Sequence, residues 1–126
     1  MRQRVSSNSP YESVVGFSRA VKVGSQVFVS GTVGRDAEGN FQDDTYVQAW
    51  QAIDNIAAAL HEVGASLQDV VRTRIYLVDI DRWREVARAH QEAFGNVLPA
   101  SSMVEVSRLA SPEMLVEIEA EAIIEQ

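Results

Sequence analysis

The chain has 126 residues, 46% of them hydrophobic and 23% charged, which is typical of one globular domain spanning residues 1–126. It has no cysteine, which excludes disulfides and thiol catalysis and agrees with the cytoplasmic location that we expect. The net charge of −7 argues against a broad surface for nucleic-acid binding but does not exclude a local basic cleft. The polar start lacks the apolar run of a signal peptide, and no later stretch is long enough to span a bilayer, so we expect neither nucleic acid nor a membrane as a partner.

The first third of the chain is predicted to contain a β-hairpin. Residues 1–16 are interpreted as a leader that ends in a loop. Two apolar segments, 17–23 and 27–32, follow it and flank the turn Val23-Gly24-Ser25-Gln26. Two short apolar segments around a glycine-containing turn are typical of a hairpin.

A long helix is predicted over residues 45–63, where apolar residues recur with helical period. Asp43 and Asp44 precede it and offer an N-cap, and Gly64 is expected to end it. Residues 66–69 (Ser-Leu-Gln-Asp) have the pattern of a weak capping box and predict a single further turn.

The strand predicted over residues 70–78 alternates, since Val71, Thr73, Ile75 and Leu77 would form its apolar face. A second helix, about 82–94, would start after Asp79 or Asp81 and bury one stripe, consisting of Trp83, Val86, Ala87, His90 and Phe94. Two more strands are predicted, over 102–109 and 115–124. We therefore predict an α+β fold, with a mainly antiparallel sheet and both helices packed on its apolar face.

The sheet face without helices carries many charges. Its predicted members are Arg72, Arg74, Tyr76, Met103, Glu105, Glu117, Glu119 and Glu121. One interpretation is a solvated surface with ordinary ion pairs, each contributing roughly 0–1 kcal/mol. The other is that this face meets copies of itself, because Tyr76, Met103 and Leu109 are unusual on a purely solvated surface.

Four segments carry recognisable motifs, in the order Phe-Val-Ser-Gly-Thr (28–32), Arg-Thr-Arg-Ile-Tyr-Leu-Val-Asp (72–79), Pro-Ala-Ser-Ser-Met-Val-Glu-Val (99–106) and Val-Glu-Ile-Glu-Ala (116–120). They resemble motifs of the Rid/YjgF family (RidA-like proteins), formerly called translation inhibitors or L-PSP endoribonucleases. The resemblance spans nearly the whole chain. It implies a chorismate-mutase-like (YjgF-like) fold and a homotrimer, with the helices outside, a central β-barrel and three clefts between subunits.

Active family members hydrolyse reactive enamines and imines and release ammonia, so the resemblance implies a small metabolite as partner and neither a metal nor an organic cofactor. It assigns the water-orienting, catalytic role to Glu117 and a cleft-lining role to Ser30 and Gly31. Met103 falls where the family uses a main-chain N–H. On the residues alone, Ser30-Gly31 could equally be a strand end, and Glu117 a solvated or interface glutamate.

Departures from the family pattern concern substrate binding. Ser101 stands where active members place the signature arginine that holds the substrate carboxylate, and serine cannot form a bidentate ion pair. Phe17 replaces a common tyrosine, and Arg88 replaces a common asparagine. Arg74 is the first candidate for a substitute anion binder, with an interface ion pair as its alternative role. These departures resemble divergent Rid subgroups that lack the signature arginine.

Three functions compete at this point. The first is a deaminase-like hydrolase, with Glu117 catalytic and Phe17, Ser30, Gly31, Arg74, Arg88, Ser101 and Met103 binding the substrate. The second is a non-catalytic, ligand-binding or regulatory trimer. The third is an endoribonuclease, against which the acidic charge and the lack of a histidine pair weigh. His90 is interpreted as a half-buried packing residue, and the two histidines have no convincing spacing for a metal site.

Overall fold

The computed structural model describes residues 2–7 and 9–125 and contains one six-stranded sheet with two α-helices. The elements in chain order are β1 (Arg2–Val5), β2 (Ala20–Val23), β3 (Gln26–Val33), α1 (Thr45–His61), β4 (Val70–Leu77), α2 (Trp83–Phe94), β5 (Ala100–Glu105) and β6 (Val116–Ile123). The strand order is β1-β2-β3-β6-β4-β5, and every neighbouring pair is antiparallel except β4 and β5. The predicted α+β class and mainly antiparallel sheet are confirmed.

The N-terminal segment is more ordered than its polar sequence indicates, and its interpretation as a leader was wrong. Arg2–Val5 form the edge strand β1, which pairs with β2, and Glu12–Gly16 form a π-helical turn. Within β1 only Val5 is buried, opposite Ala20. With a single buried side chain the strand has no apolar alternation that a sequence pattern could reveal.

The first helix begins at Thr45 as predicted and ends at His61, two residues before the predicted end. The Asp44 side chain accepts a hydrogen bond from the Val47 backbone N–H (3.0 Å), and α1 is followed by Gly64 at a φ of +81°. Ser66 and Asp69 form the predicted capping box around one 3₁₀ turn.

The second helix begins after a 3₁₀ turn, Ile80–Arg82, which the Asp79 side chain caps. Its buried residues are Val86, Ala89 and Phe94. Of the other residues predicted on this face, Ala87 and His90 are half-buried, whereas the assignment of Trp83 was wrong. Trp83 is 42% exposed as the first residue of α2, and its ring is covered by the Arg84 guanidinium, 4.6 Å from the ring centroid, instead of by the sheet.

The alternation of buried and exposed residues in β4 differs from the prediction because the strand contains a β-bulge. Val70 pairs with Ala122, but Arg72 pairs with the adjacent Glu121, so β4 has one extra residue at Val71. Val70 therefore occupies the buried position, whereas Val71 is 42% exposed and does not belong to the apolar face. Beyond the bulge the prediction is confirmed, because Thr73, Ile75 and Leu77 are all buried against the helices.

The sheet surface that the helices leave uncovered is called the open face below. It carries Arg72, Arg74 and Tyr76 from β4 beside Glu117, Glu119 and Glu121 from β6, as predicted. Arg74 donates to Glu121 (2.7 Å) and the Tyr76 hydroxyl donates to Glu119 (2.8 Å).

Strand β5 was assigned to the wrong face. It runs parallel to β4, with Met103 beside Ile75 and Glu105 beside Leu77, and both of these β4 residues face the helices. Met103 therefore packs against the core, and Glu105 accepts a hydrogen bond from the Ile80 N–H (3.0 Å) on the helix side. The segment Ala-Ser-Ser-Met-Val-Glu has no alternation that would have revealed this register.

Candidate functional site

A cleft of about 730 Å³ lies around the end of β3. Its walls come from the end of β3, from β6, from the segment that follows β1, from the loop after β3 and from the middle of α1. The side chains that matter below are Phe17, Arg19, Ser30, Arg35, Asn55 and Glu117.

A second β-bulge shapes the strand that lines this cleft. Val29 pairs with Ala120 and Thr32 with Ile118, so two residues, Ser30 and Gly31, stand opposite one residue of β6. Ser30 turns toward the start of β2, where its N–H donates to the Arg19 carbonyl (3.0 Å) and its hydroxyl donates to the Ser18 carbonyl (2.7 Å). Because its proton is engaged, the Ser30 hydroxyl oxygen is oriented as an acceptor for a ligand N–H.

Gly31 provides the space that the Glu117 carboxylate occupies. A Cβ atom at Gly31 would lie 2.8 Å from Cδ of Glu117, closer than carbon atoms of two residues approach, and 3.3 Å from its Cγ, which is a tight contact. The absence of a side chain at Gly31 therefore allows the carboxylate to lie directly against the bulged strand.

Glu117 is half-buried, and its pKa is raised above the ordinary value. The largest cause is burial, which disfavours the charged form, and the charge of Glu119 on the same strand adds to it. Arg19 opposes both effects without cancelling them. A carboxyl group whose pKa is shifted toward neutrality in a cleft can both accept and return a proton.

Arg19 is a member of the cleft that the sequence interpretation missed. Its guanidinium donates from Nη1 to the Gly31 carbonyl (2.6 Å) and to the Thr32 hydroxyl (3.0 Å), and its Nε lies 3.6 Å from Glu12. It also lies 5.5 Å from the Phe17 ring centroid. Arg19 is only 8% exposed, so it contacts the bulged strand from the protein interior and not from the open cleft. An arginine directly before the apolar Ala20 and Val21 was the available signal.

Glu12 anchors the N-terminal segment to this network. It accepts hydrogen bonds from the Ser6 hydroxyl (3.1 Å), from the Ser7 N–H (3.2 Å) and from the Ser7 hydroxyl. Burial raises the pKa of Glu12, but the hydrogen bonds from Ser7 and Ser6 and the charge of Arg19 outweigh it and hold the pKa below its ordinary value. The cleft wall formed by Ser6 and Ser7 is thereby tied to Arg19.

Arg35 is the second cationic side chain that the sequence interpretation missed. It lines the cleft just beyond the end of β3, with its guanidinium 5.6 Å from the Phe41 ring centroid. The Asn55 side chain, reaching over from α1, donates to the carbonyls of Val33 (3.1 Å) and Arg35 (2.9 Å) and so holds this part of the backbone in place. A charged residue two positions beyond a strand end, after Gly34, was the signal that could have identified it.

Half of the predicted site residues meet in the cleft. Phe17, Ser30, Gly31 and Glu117 all line it. Arg74 does not, and its guanidinium is paired with Glu121 on the open face. Arg88 lies on the outer surface of α2, with its guanidinium 3.8 Å from the centroid of the Tyr46 ring.

Ser101 and Met103 also lie away from the cleft of their own chain, on the helix side of β5. Ser101 accepts a hydrogen bond from Thr73 (2.7 Å), whose hydroxyl oxygen is 2.9 Å from Nε2 of His90. His90 is half-buried beside Phe94, as predicted, and burial lowers its pKa. The ligand-binding roles of Arg74, Arg88, Ser101 and Met103 stay predictions.

Within residues 2–7 and 9–125, no three histidine, aspartate or glutamate side chains come together as a metal site. Neither of the two α-helices in these ranges combines the length and apolarity that a bilayer crossing requires.

Comparison with known proteins links this fold and cleft to one family. The profile of the family described as Endoribonuclease L-PSP matches residues 7–124. A RutC family protein of Pyrococcus abyssi is 41% identical over 106 residues, which cover 82% of this chain and 83% of the relative. The 2-iminobutanoate/2-iminopropanoate deaminase of Salmonella typhimurium is 28% identical, with 98% of both chains covered. The crystal structure of Rv2704 from Mycobacterium tuberculosis, a member of the YjgF/YER057c/UK114 family, superposes with a TM-score of 0.92 at 51% identity, covering 98% of this chain and 100% of that one.

Proposed function

This chain belongs to the Rid/YjgF family, the family of the Endoribonuclease L-PSP profile, and from that premise we propose that it hydrolyses small reactive enamines or imines to ammonia and a 2-oxo acid. The name of the Salmonella relative supports this choice of reaction, since that protein is called a 2-iminobutanoate/2-iminopropanoate deaminase. The identity of 28% to it leaves the substrate to be argued from the cleft itself.

The observation that carries the proposal is the half-buried carboxyl group of Glu117, with its raised pKa, against Gly31 and in the same cleft as Ser30. In the proposed reaction Glu117 accepts a proton from water as the water oxygen bonds to the imine carbon, and it returns that proton to the nitrogen. Glu117 then takes the hydroxyl proton of the resulting carbinolamine and passes it to the amine, so that the C–N bond breaks and ammonia leaves as the carbonyl forms. The Ser30 oxygen accepts the substrate N–H and orients the nitrogen.

We further propose that the protein acts as a homotrimer, with the open faces directed inward and each cleft completed by a neighbouring subunit. Large apolar side chains on the open face support this assembly, since they are 40–48% exposed in the single chain; they are Val23, Phe28, Val104 and Ile123. In this assembly Arg74, Arg88, Ser101 and Met103 would reach a cleft only from another subunit. Sedimentation should give three times the chain mass, and a stable, well-folded single chain at working concentrations would refute the assembly.

Ammonia release tests the reaction. The protein is incubated with freshly generated 2-aminoacrylate or 2-iminopropanoate, and ammonia is followed against buffer alone. We expect acceleration by the wild type and its loss in Glu117→Gln, which keeps the shape of the side chain but cannot accept a proton. Glu85→Gln is the matched control, because Glu85 pairs with Arg82 on the helix surface, away from the cleft.

The same assay separates the competing functions. Ligand binding without acceleration over buffer would replace the hydrolase by a non-catalytic binding trimer. RNA degradation that persists after stringent repurification and vanishes in Glu117→Gln would support an endoribonuclease instead. Glu117 and Glu119 weigh against that outcome, because carboxylates in the cleft repel phosphates. A cytoplasmic location is part of the proposal, and cell fractionation tests it.

A further inference from the structure

We propose that Arg35 is the anion-binding residue of the cleft and that it holds the carboxylate of a small 2-imino or 2-oxo acid. The assignment deepens the proposed function and, as far as turnover is concerned, rests on it. Binding of the carboxylate by Arg35 is a separate claim, which can be tested without turnover.

The other arginines near the cleft are engaged elsewhere. The position of the family's signature arginine holds Ser101, which lies on the helix side of β5 and carries no charge. Arg19 is buried, donates to Gly31 and Thr32, and has its charge balanced by Glu12. A ligand carboxylate that competed for Arg19 would have to break contacts that hold the bulged strand in place.

Arg35, by contrast, has an unused charge. Across residues 2–7 and 9–125, no carboxylate oxygen lies within 4.0 Å of its guanidinium, and the side chain makes no hydrogen bond. Its neighbour Asp36 does not compensate it, because the Asp36 carboxylate accepts from the N–H groups of Glu38 (3.0 Å) and Asn40 (2.8 Å). A half-buried guanidinium with no partner in a cleft is a site for an anion.

The surroundings of Arg35 also orient it. Asn55 holds its backbone carbonyl, and the Phe41 ring lies beside the guanidinium. Contact with an aromatic ring leaves the in-plane N–H groups available, and these form the fork that matches a carboxylate with two parallel hydrogen bonds. An arginine held in this way loses little side-chain entropy on binding.

The charges of the cleft determine which kind of ligand it suits. Glu117 and Glu119 repel a carboxylate and attract a protonated imine nitrogen, whereas Arg35, which lines the same cleft, attracts the carboxylate. A 2-imino acid carries both groups on adjacent carbons, so a cleft that carries both signs of charge is complementary to it.

Equilibrium binding of two probes tests the assignment. The probes are 2-oxobutanoate and its neutral amide, 2-oxobutanamide, titrated calorimetrically into the wild type, Arg35→Gln and Arg84→Gln. Arg84 is the matched control, because it also stacks on an aromatic ring, Trp83, but lies outside the cleft. We expect Arg35→Gln to weaken 2-oxobutanoate binding by about tenfold or more while amide binding stays the same, and Arg84→Gln to change neither.

Three results would overturn the proposal. They are wild-type affinity of Arg35→Gln for 2-oxobutanoate, an equal loss of acid and amide binding in that variant, and no saturable binding of 2-oxobutanoate by the wild type. Failure of the proposed hydrolase reaction can be distinguished from failure of the anion site. Selective loss of acid binding in Arg35→Gln, together with a wild type that releases no ammonia, would retain the anion site and refute the hydrolase.

Discussion

Replacing Gly31 by alanine is expected to disable the cleft while leaving the protein folded. The backbone at Gly31 has no positive φ, so alanine causes no backbone strain there. The added Cβ, however, would lie 2.8 Å from Cδ of Glu117. Carbon atoms in contact prefer a separation of about 3.5–4.0 Å, so the carboxyl group must move by roughly 1 Å.

That displacement determines the expected size of the effect. A reacting group misplaced by about 1 Å can lose on the order of 100-fold in rate, so kcat/KM for ammonia release should fall by about that factor. Stability should fall by no more than about 1 kcal/mol, because a flexible side chain at the cleft surface can move aside. Gly34→Ala provides the contrast. Its Cβ would lie 2.7 Å from the Cα of Gln48, where backbone cannot yield, and a loss of about 1–3 kcal/mol is expected.

The assay combines steady-state rates with urea unfolding in a cycle with Glu117→Ala. In the Glu117→Ala background there is no carboxylate to displace, so adding Gly31→Ala should leave the free energy of unfolding unchanged. Wild-type kcat/KM in Gly31→Ala would refute the steric argument. A loss of stability from Gly31→Ala that is equally large with and without the Glu117 carboxylate would refute it too, since the strain would then lie elsewhere.

Three further predictions follow from single contacts. Because the pKa of Glu117 is raised in the folded protein, its charge destabilises the folded state at neutral pH but not in acid, where the group is protonated in both states. Glu117→Gln should therefore unfold at a higher urea concentration than the wild type at neutral pH, and this gain should disappear below about pH 4.3. A gain that persists in acid would contradict this origin. Gln48 is 1% exposed, and its side chain donates to the carbonyls of Gln42 and Glu113 and accepts from the Leu115 N–H. Gln48→Leu should therefore lower the free energy of unfolding, measured with urea, by about 2–4 kcal/mol. A loss below about 1 kcal/mol would show that these hydrogen bonds are dispensable. Arg74→Gln should weaken the trimer in sedimentation without changing 2-oxobutanoate affinity, because Arg74 pairs with Glu121 on the open face; an intact trimer with lost affinity would restore Arg74 as the anion binder.

The local elements of this fold could be predicted from sequence because their signals are local. The helix over Thr45–His61 has an apolar period, a capping aspartate and a glycine stop within one continuous segment. The charged alternation of β4 and β6 identified the open face for the same reason, since side chains two residues apart share a face of a strand. The motif around Ser30, Gly31 and Glu117 led to the family and to the part of the cleft that one chain forms.

Pairing between distant strands decided the rest. The bulges at Val71 and at Ser30–Gly31 depend on which residue of β6 each strand meets, and no pattern within one strand contains that information. The same holds for β5, whose parallel pairing with β4 placed Met103 and Glu105 on the helix side, against the expectation.

The two arginines of the cleft show most directly which properties the sequence determines and which the tertiary structure determines. Sequence alone counted Arg19 and Arg35 among the 11 basic residues of an acidic chain and attached no role to either. In the folded chain Arg19 is buried beneath the bulged strand, and Arg35 is held at the cleft by Phe41 and Asn55 with its charge unpaired among the described residues. A charge acquires such a role from what surrounds it, and those surroundings come from segments that only the tertiary fold brings together.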